Sequence, residues 1–333
     1  MPLTISIVGA AGFVGTNLAL AALDAGHHVR LVDVADRLGR LKASGLLDRA
    51  PHQFVDLSQP GARLDGAADV IVHLAALPQV DFSLYEPARV LTNNTAVTAA
   101  VLDSARAMDV PVLFTSSIEV YGGNDGALFT ETSPLLPLSP YAASKIGCEE
   151  YLASLRHGFG TETTTVRLTN LYGPWQAPDR IVPRVTAQGL SGMKSEAVTG
   201  KLRDFLAVED ATRALLGLVE RPSWGETFNL SAGLHTGLEE VADTIAELTG
   251  SGPVVRTNSP GKDGRGPSLV ASAARLEQRL GWRARIPLSD GLRSTVSWYA
   301  DHESWWRPFE AQFGADRNGP DFLLDHTYPF WTD

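Results

Sequence analysis

Three glycines near the start of the chain constrain its fold more than any other feature. Gly9, Gly12 and Gly15 lie between the β-branched run Thr4–Val8 and a segment with helical apolar spacing, which predicts a strand, a turn and a helix. In such a unit the first glycine allows a tight turn, the second lets the backbone approach a pyrophosphate, and the third lets the helix pack on the strand. N–H groups at the helix N-terminus attract the phosphates. The pattern therefore predicts that Gly9, Gly12 and Gly15 bind a dinucleotide.

An acidic residue after the second predicted strand indicates which dinucleotide. Asp33 closes the run Val29–Val32 and stands 18 residues after Gly15. A carboxylate at this place accepts hydrogen bonds from the adenosine ribose and repels a 2′-phosphate. The sequence therefore predicts NAD as the cofactor, with Asp33 as one of its ligands.

Apolar runs alternate with helical stretches through the first half of the chain. This alternation predicts right-handed βαβ units, and the nearly continuous apolar strands are typical of a parallel sheet covered on both faces. The predicted strands are 4–8, 29–32, 68–73, 111–115 and 163–168, with helices at 12–25, 87–108 and 141–157. The predicted fold class is α/β, a Rossmann-type doubly wound parallel sheet with a smaller C-terminal α/β substrate lobe.

The pattern loosens after about residue 170, where glycine and proline cluster at 173–192 and again at 251–268. Helical spacing returns at 208–220, 238–249, 273–280 and 288–299. We predict an NAD-binding Rossmann domain over 1–170 with a returning segment near 204–230, a substrate-binding lobe over 171–304, and an aromatic C-terminal extension over 305–333.

Charge and composition exclude several classes of protein. The 333 residues carry 28 Lys plus Arg against 38 Asp plus Glu, a formal net charge of −10, so a general nucleic-acid binder is not expected. One cysteine, Cys148, and eight scattered histidines predict no disulfide framework and no metal site. Because no long apolar run or signal-peptide pattern is visible, the sequence predicts a cytoplasmic protein that does not bind membranes.

A tyrosine and a lysine one helical turn apart form the clearest catalytic pair. Tyr141 and Lys145 open a predicted helix in which Ser139 and Pro140 suit the N-cap and the first turn. The i, i+4 spacing places both side chains on one helix face. A cation about 4 Å away lowers the pKa of a phenol from about 10 to roughly 7, where it exchanges protons with a hydroxyl group. Ser117 is expected at the carboxyl end of a nearby strand.

The order of these motifs resembles the extended short-chain dehydrogenase/reductase family, in its NAD-dependent sugar epimerase/dehydratase branch. The resemblance covers most of residues 4–300. It rests on the glycine trio, Asp33, Asp56, His73-Leu-Ala-Ala76, Asn94, Ser-Ser-x-x-Val-Tyr-Gly around Ser117, Tyr-x-x-x-Lys, and Arg203-Asp-Phe. It implies an enzyme with Ser117, Tyr141 and Lys145 as catalytic residues, a small-molecule sugar substrate, and a homodimer formed through the helices at 87–108 and 141–157.

The same resemblance implies further binding residues. Asp56 and Leu57 would hold the adenine, and Lys145 would also bind the nicotinamide ribose. The other implied cofactor contacts are Phe13, Val14, Leu74, Ala75, Ala76, Asn94, Thr115 and Tyr141. The implied substrate contacts are Ser117, Asn170, Arg203, Lys262 and Arg265. Gln79 and Asp81 follow the cofactor segment and are expected to face the sugar.

The two residues after Ser117 bear on the reaction. By the resemblance, dehydratases carry an Asp-Glu pair there, as acid and as base at C5, decarboxylases keep the Glu alone, and 4-epimerases need neither. This chain has Ile118 and Glu119. The segment is also similar to that of the dehydratase of tunicamycin biosynthesis, which oxidises C4 and eliminates water across C5–C6. We predict a dehydratase with Glu119 as a catalytic residue, with a nucleotide-sugar 4-epimerase and a UDP-glucuronate decarboxylase as alternatives.

Two alternatives concern the substrate and the class of protein. Lys262 stands where relatives clamp a diphosphate with arginine, and lysine lacks the bidentate fork of arginine. The predicted substrate is therefore a nucleotide sugar or a nucleoside-type molecule. A non-catalytic NAD-sensing regulator on the same fold is disfavoured, because Tyr141 and Lys145 are both present.

Overall fold

A computed structural model of the chain describes residues 1–124, 126–257 and 268–313. The strands within these ranges are β1 (Thr4–Val8), β2 (His28–Asp33), β3 (His52–Phe54), β4 (Val70–His73), β5 (Val112–Ser117), β6 (Thr163–Leu168), β7 (Asn170–Tyr172), β8 (Glu196–Val198), β9 (Leu202–Arg203), β10 (Phe205–Ala207), β11 (Thr227–Leu230), β12 (Thr236–Gly237), β13 (Val255–Thr257) and β14 (Ser268–Leu269).

The helices are α1 (Phe13–Asp24), α2 (Gly39–Ala43), α3 (Leu46–Arg49), α4 (Val80–Tyr85), α5 (Pro87–Met108), α6 (Pro140–Phe159), α7 (Ile181–Leu190), α8 (Val208–Glu220), α9 (Leu238–Thr249), α10 (Ala274–Leu280), α11 (Leu288–Asp301) and α12 (Glu303–Trp306). Short 3-10 turns cover Ala35–Arg37, Ile118–Tyr121 and Arg307–Gln312. None of the described helices is long and apolar enough to cross a membrane.

Seven of the described strands form one parallel sheet in the order β11–β6–β5–β4–β1–β2–β3. The chain runs outward from β1 in one direction through β2 and β3, and in the other through β4, β5 and β6. This reversal of direction opens a crevice at the carboxyl ends of the central strands, where such sheets bind ligands. The predicted doubly wound parallel sheet is confirmed.

Helices cover both faces of this sheet, which explains its nearly continuous apolar strands. Successive side chains of β1 point to opposite faces. Ile7 packs with Leu18 of α1 and Leu215 of α8 on one face, whereas Val8 packs with Val101 of α5 on the other. Burying a side chain of this size contributes about 1.5–3 kcal/mol. These two layers hold the carboxyl ends of the strands in fixed positions.

The C-terminal half builds a second core beside the sheet. Helices α7, α9 and α11 pack around Val185, Ile245 and Leu292, and the short strands β12, β9 and β14 form a separate small sheet. β11 returns from this half to the edge of the main sheet, next to β6. The proposed boundaries at residues 170 and 304 stay predictions, and residues 314–333 lie outside the described part of the chain.

The sequence pattern missed the short helices α2, α3, α4, α7 and α12 and the strands β3 and β7 to β14. The largest of them, α7, lies inside the segment 173–192 that reads as loop. Pro183 is the third residue of α7, where the backbone N–H has no partner within the helix, so proline is tolerated. Gly189 lies where a Cβ would collide with the Thr249 side chain of α9, so helix packing requires glycine there.

Candidate active site

The glycine-rich turn lies between the end of β1 and the segment that follows β4. Gly9 has a φ of 90°, which side chains disfavour, and a Cβ on it would lie 2.6 Å from the Ala75 nitrogen. A Cβ on Gly15 would collide with the Gly9 carbonyl oxygen, so α1 packs directly on the turn. Gly12 is the N-cap of α1, and no side chain caps this helix end. The first N–H groups of α1 can therefore bind a pyrophosphate, which fits NAD.

The carboxylate of Asp33 lies against this turn. It accepts a hydrogen bond from the Ala11 N–H at 2.8 Å and another from the Val34 N–H at 2.9 Å. The predicted contacts Phe13 and Val14 are the first two residues of α1. A carboxylate that ends β2 beside the glycine-rich turn is the arrangement with which this fold binds the ribose of NAD and repels the 2′-phosphate of NADP.

The predicted adenine residues lie in the turn after β3. Asp56 is exposed, and its carboxylate accepts hydrogen bonds from the Ser58 N–H and from the Gln59 side-chain amide, both at 2.9 Å. Leu57 is buried and packs into the core on the α5 side of the sheet. Because β3 pairs with β2, this turn lies on the same side of the crevice as Asp33. Contacts of Asp56 and Leu57 with adenine stay predictions.

Asn94 holds Leu77, the residue directly after the segment 74–76 that was predicted to line the cofactor. Its side-chain oxygen accepts hydrogen bonds from the Leu77 N–H at 2.8 Å and from Asn93 at 3.1 Å. Its amide group donates to the Leu77 carbonyl at 3.3 Å and to the Ser144 hydroxyl at 3.0 Å. These four bonds use the donors and acceptors of an asparagine side chain. We therefore interpret Asn94 as a residue that positions 74–76, while its direct contact with NAD stays a prediction.

The three predicted catalytic side chains lie together at the carboxyl end of β5. Ser117 is the last residue of β5, and its hydroxyl accepts a hydrogen bond from the Glu119 N–H at 3.2 Å. Tyr141 projects from the first turn of α6 and is hydrogen-bonded to the Ser117 side chain. Ser139 caps α6 with its side-chain oxygen at 3.1 Å from a backbone N–H. Lys145 follows one turn later, and both it and Tyr141 are buried.

The end of β5 also holds Lys145. Its Nζ donates to the Thr115 carbonyl at 2.9 Å and lies 4.8 Å from the centroid of the Phe114 ring. The Thr115 hydroxyl in turn donates to the His73 carbonyl at 3.0 Å, which joins β5 to β4. Burial lowers the pKa of Lys145 to about 8. The backbone of the sheet therefore fixes the position of this ammonium group.

The pKa of Tyr141 differs from the sequence prediction. Burial raises it to about 12, although the hydrogen bond with Ser117 and the charge of Arg180 act to lower it, and the charge of Glu119 acts to raise it. The expected pKa near 7 is therefore wrong for this arrangement. Burial removes the water that stabilises a phenolate, and the Lys145 ammonium is bound to the Thr115 carbonyl.

Arg180 is a site residue that the sequence motifs did not reveal. It is the N-cap residue of α7, and its Nη2 donates to the Pro78 carbonyl at 3.1 Å. Its positive charge acts on the Tyr141 phenol, so α7 brings a cation to the catalytic centre. The only signal in the sequence was a cation directly before an apolar helical stretch, in a segment that reads as loop.

Two predicted substrate residues lie on short strands beyond β6 that belong to two different small sheets. The Asn170 side chain donates to the Asp204 carbonyl at 3.1 Å, and β7 pairs with β10. Arg203 in β9 is buried, and its Nη1 donates to the Leu202 carbonyl at 2.8 Å. The Asp204 carboxylate binds the backbone at 232–234 and so fixes this corner of the lobe. Substrate contacts of Asn170 and Arg203 stay predictions.

The remaining predicted substrate residues divide into two groups. Gln79 is the N-cap residue of α4, and Asp81 lies in the first turn of that helix. They follow the segment that Arg180 contacts, and their role toward a sugar stays a prediction. Lys262 and Arg265 lie outside the described residues.

His73, at the end of β4, is a buried structural residue whose pKa affects the stability of the fold in acid. Its ring is buried, with Nε2 3.1 Å from the Thr98 hydroxyl and the ring centroid 5.4 Å from that of Phe114. Burial, assisted by the charge of Lys145, lowers the pKa of His73 to about 3. The folded protein therefore keeps His73 neutral in mild acid, whereas the unfolded chain protonates it below about pH 6.5.

We expect acid to destabilise the wild type more than His73→Gln. Because the unfolded state binds the extra proton, the contribution of His73 to stability falls as the pH drops from 6.5 toward 3, by about 2 kcal/mol at pH 5. Urea unfolding at pH 7.5 and at pH 5 measures the loss for each variant. The exposed His28 supplies the control, His28→Gln. Equal losses in the wild type and in His73→Gln would contradict this assignment.

The sequence pattern of the NAD-dependent epimerase/dehydratase family matches residues 5–231, more than half of the chain. The chain belongs to the NAD-dependent epimerase/dehydratase family. This confirms the resemblance, and it makes the protein an enzyme of this type with NAD as its cofactor.

Similar proteins include several dehydratases. The dTDP-glucose 4,6-dehydratase of Neisseria meningitidis serogroup B is 31% identical over 341 residues, covering 91% of this chain and 95% of the relative. The crystal structure of DesIV, a dTDP-glucose 4,6-dehydratase from Streptomyces venezuelae with NAD and TYD bound, superposes with a TM-score of 0.84 at 25% identity, covering 92% of this chain and 100% of that one. TunA, an NAD-dependent NDP-hexosamine 5,6-dehydratase of tunicamycin biosynthesis, has a TM-score of 0.79 at 27% identity and coverages of 90% and 98%.

Proposed function

We propose that this enzyme dehydrates a nucleotide sugar after transient oxidation of its C4 hydroxyl group. The observation that carries the proposal is the place of Glu119, whose carboxylate acts on the buried Tyr141 phenol while its backbone is tied to Ser117. Glu119, a side chain that can exchange protons, thus lies close to Tyr141 and Lys145, the pair assigned to oxidation of the hydroxyl group. Dehydratases among the similar proteins support the same reaction.

Oxidation of the sugar is assigned to Tyr141, Ser117 and Lys145. When bound, NAD would supply the acceptor for a hydride from a ring carbon and the donor that returns it, so that no added oxidant is needed. Tyr141 takes the proton of the C4 hydroxyl, and the Ser117 hydroxyl holds the same oxygen by a hydrogen bond. Because burial disfavours the phenolate, Tyr141 needs the charges of Lys145 and Arg180. Lys145 lies one helical turn away on the same face of α6, so we assign one of these two charges to it.

Elimination is assigned to Glu119. A C4 ketone acidifies the C5–H bond, and the Glu119 carboxylate removes that proton. The electron pair then forms a C5–C6 double bond as the C6 hydroxyl leaves, and the proton that Glu119 has taken up passes to that hydroxyl and converts it to water. The Ser117 hydroxyl caps the 3-10 turn Ile118–Tyr121 at the Glu119 N–H and so fixes the backbone of Glu119 at the carboxyl end of β5.

A second candidate, a 4-epimerase, is favoured by Ile118. This residue is 2% exposed and packs with Val120, Tyr121 and Phe129 in an apolar cluster. It cannot donate a proton to a leaving hydroxyl, whereas a 4-epimerase requires no such donor. A decarboxylase, which needs Glu119 but no acid, and a nucleoside-type substrate complete the set of alternatives.

We also propose that the enzyme is a cytoplasmic homodimer formed through α5 and α6. Leu91 on α5 is 46% exposed and Phe159 at the end of α6 is 64% exposed, so apolar surface is available on both helices. Light scattering coupled to gel filtration measures the mass of the particle. A mass of one chain at micromolar concentration would contradict the dimer.

Incubation with a panel of nucleotide sugars and nucleosides, without added NAD or oxidant, tests the proposed function. We expect the mass of one substrate to fall by that of water. Loss of carbon dioxide would identify a decarboxylase, and an unchanged mass with altered retention would identify an epimerase. No change with any compound of the panel would contradict all three assignments.

A further inference from the structure

Arg40, in the short helix α2, joins three segments that are far apart in the sequence. Its Nε donates to the Trp175 carbonyl at 2.8 Å, and its Nη1 donates to the Ala11 carbonyl in the glycine-rich turn. Its guanidinium carbon lies 5.0 Å from the centroid of the Trp305 ring. One partly buried cation therefore connects the NAD-binding turn, the loop after β7 and the C-terminal part of the chain.

The contact with Ala11 fixes the peptide group directly before α1. The Ala11 N–H donates to Asp33, and the Ala11 carbonyl accepts from Arg40. With both of its polar groups held, Ala11 places Gly12, the N-cap residue, in one orientation. The open N–H groups of α1 then point in a fixed direction, and the charge of Arg40 adds to the positive end of that helix.

The loop at Trp175 is held tightly on the side of the cofactor domain. Trp175 has a φ of 65°, which a bulky residue adopts only where its surroundings impose it. The neighbouring Pro174 carbonyl accepts a hydrogen bond from Asn17 of α1 at 2.9 Å. Asn17 and Arg40 thus fix two successive carbonyl groups of the loop.

The C-terminal clasp, defined as residues 298–313, holds the loop from the other side. Trp175 packs edge-on against Trp298 and Trp305, with ring centroids 5.0 and 5.5 Å apart. The Trp305 ring nitrogen donates to the Gln176 carbonyl at 3.3 Å. Trp305 is 4% exposed, so its ring is a buried support beneath Arg40.

We propose that Arg40 is a positioning residue for NAD, and that the C-terminal clasp keeps Arg40 in place through Trp305. Arg40 shapes the turn that receives the pyrophosphate, and the clasp prevents Arg40 and the Trp175 loop from moving away. This inference rests on NAD binding and not on the sugar reaction, so a different sugar reaction would leave it unchanged.

Binding of NADH to the full-length protein tests the proposal. Fluorescence titration gives the dissociation constant, and NAD retained per chain after gel filtration gives an independent readout. We expect Arg40→Ala to bind NADH about tenfold more weakly than the wild type, because a charge-assisted hydrogen bond to the turn is lost. Arg40→Lys, which keeps the charge but not the fork, is expected to lie between them. The control is Arg49→Ala, which removes an exposed ion pair between Arg49 at the end of α3 and Asp24 at the end of α1.

The clasp is tested separately with Trp305→Leu and the milder Trp305→Phe. Trp305→Leu is expected to weaken NADH binding about threefold or more, because an aromatic ring under a cation contributes about 0.5–1 kcal/mol or more. Thermal unfolding of each variant verifies that it is folded at the temperature of the titration. Binding by Arg40→Ala within twofold of the wild type would overturn the role of Arg40. Unchanged binding by folded Trp305→Leu would overturn the role of the clasp.

Discussion

Tyr141→Phe is expected to lower kcat/KM by about a thousandfold while bound NAD stays in place. The substitution removes the group that takes the proton from the sugar hydroxyl and leaves the ring that packs at the start of α6. The hydrogen bond between the phenol and Ser117 is lost with it. Turnover of the substrate found with the panel, together with NAD content per chain, measures both parts of the expectation.

Tyr151→Phe is the matched control for that experiment. Tyr151 lies on the same helix and packs in the core on the α5 side of the sheet, away from the Ser117 hydroxyl. Its loss should leave kcat/KM within a few-fold of the wild type. If Tyr141→Phe kept at least a tenth of the wild-type kcat/KM, the assigned proton transfer would be wrong.

The five inner strands of the main sheet could be predicted from the sequence because they are buried on both faces, whereas the edge strands β3 and β11 were missed. Runs such as Thr163–Leu168 end where the structure ends them, since polar or glycine residues follow at once. The helix α7 could not be recognised, because Pro183 and the surrounding glycines indicate a loop unless the packing against α9 is known. At that segment the local residue pattern indicates a loop, whereas packing against α9 stabilises a helix.

The catalytic centre could be predicted only as far as it depends on short spacings. Tyr141 and Lys145 share a helix face, so four residues of sequence place them together. Arg180 reaches the same centre from the N-terminus of α7, 39 residues beyond Tyr141, and no local spacing reveals it. The predicted pKa of Tyr141 was wrong for a related reason. The pKa depends on burial by the whole fold and on the carbonyl that binds Lys145.

Glu119→Gln is expected to abolish elimination, lowering its rate by about a hundredfold to ten-thousandfold, while oxidation at C4 continues. Glutamine keeps the volume of the side chain and the backbone bond to Ser117, but it cannot accept the C5 proton. Tyr141 and Lys145 are unchanged in this variant, so oxidation of the sugar and its reversal are expected to continue. Product mass and exchange of the C5 hydrogen in deuterated water measure the two steps separately.

The comparison with Glu150→Gln, an exposed glutamate on α6, separates a local effect from a general one. A dehydratase loses both product and C5 exchange in Glu119→Gln and keeps both in Glu150→Gln. A 4-epimerase keeps its turnover in both variants, because inversion at C4 needs only the hydride and the Tyr141 proton. If Glu119→Gln kept its turnover, the assignment of Glu119 as the base of a dehydratase would be contradicted. The 4-epimerase, which Ile118 favours, would then be the better assignment.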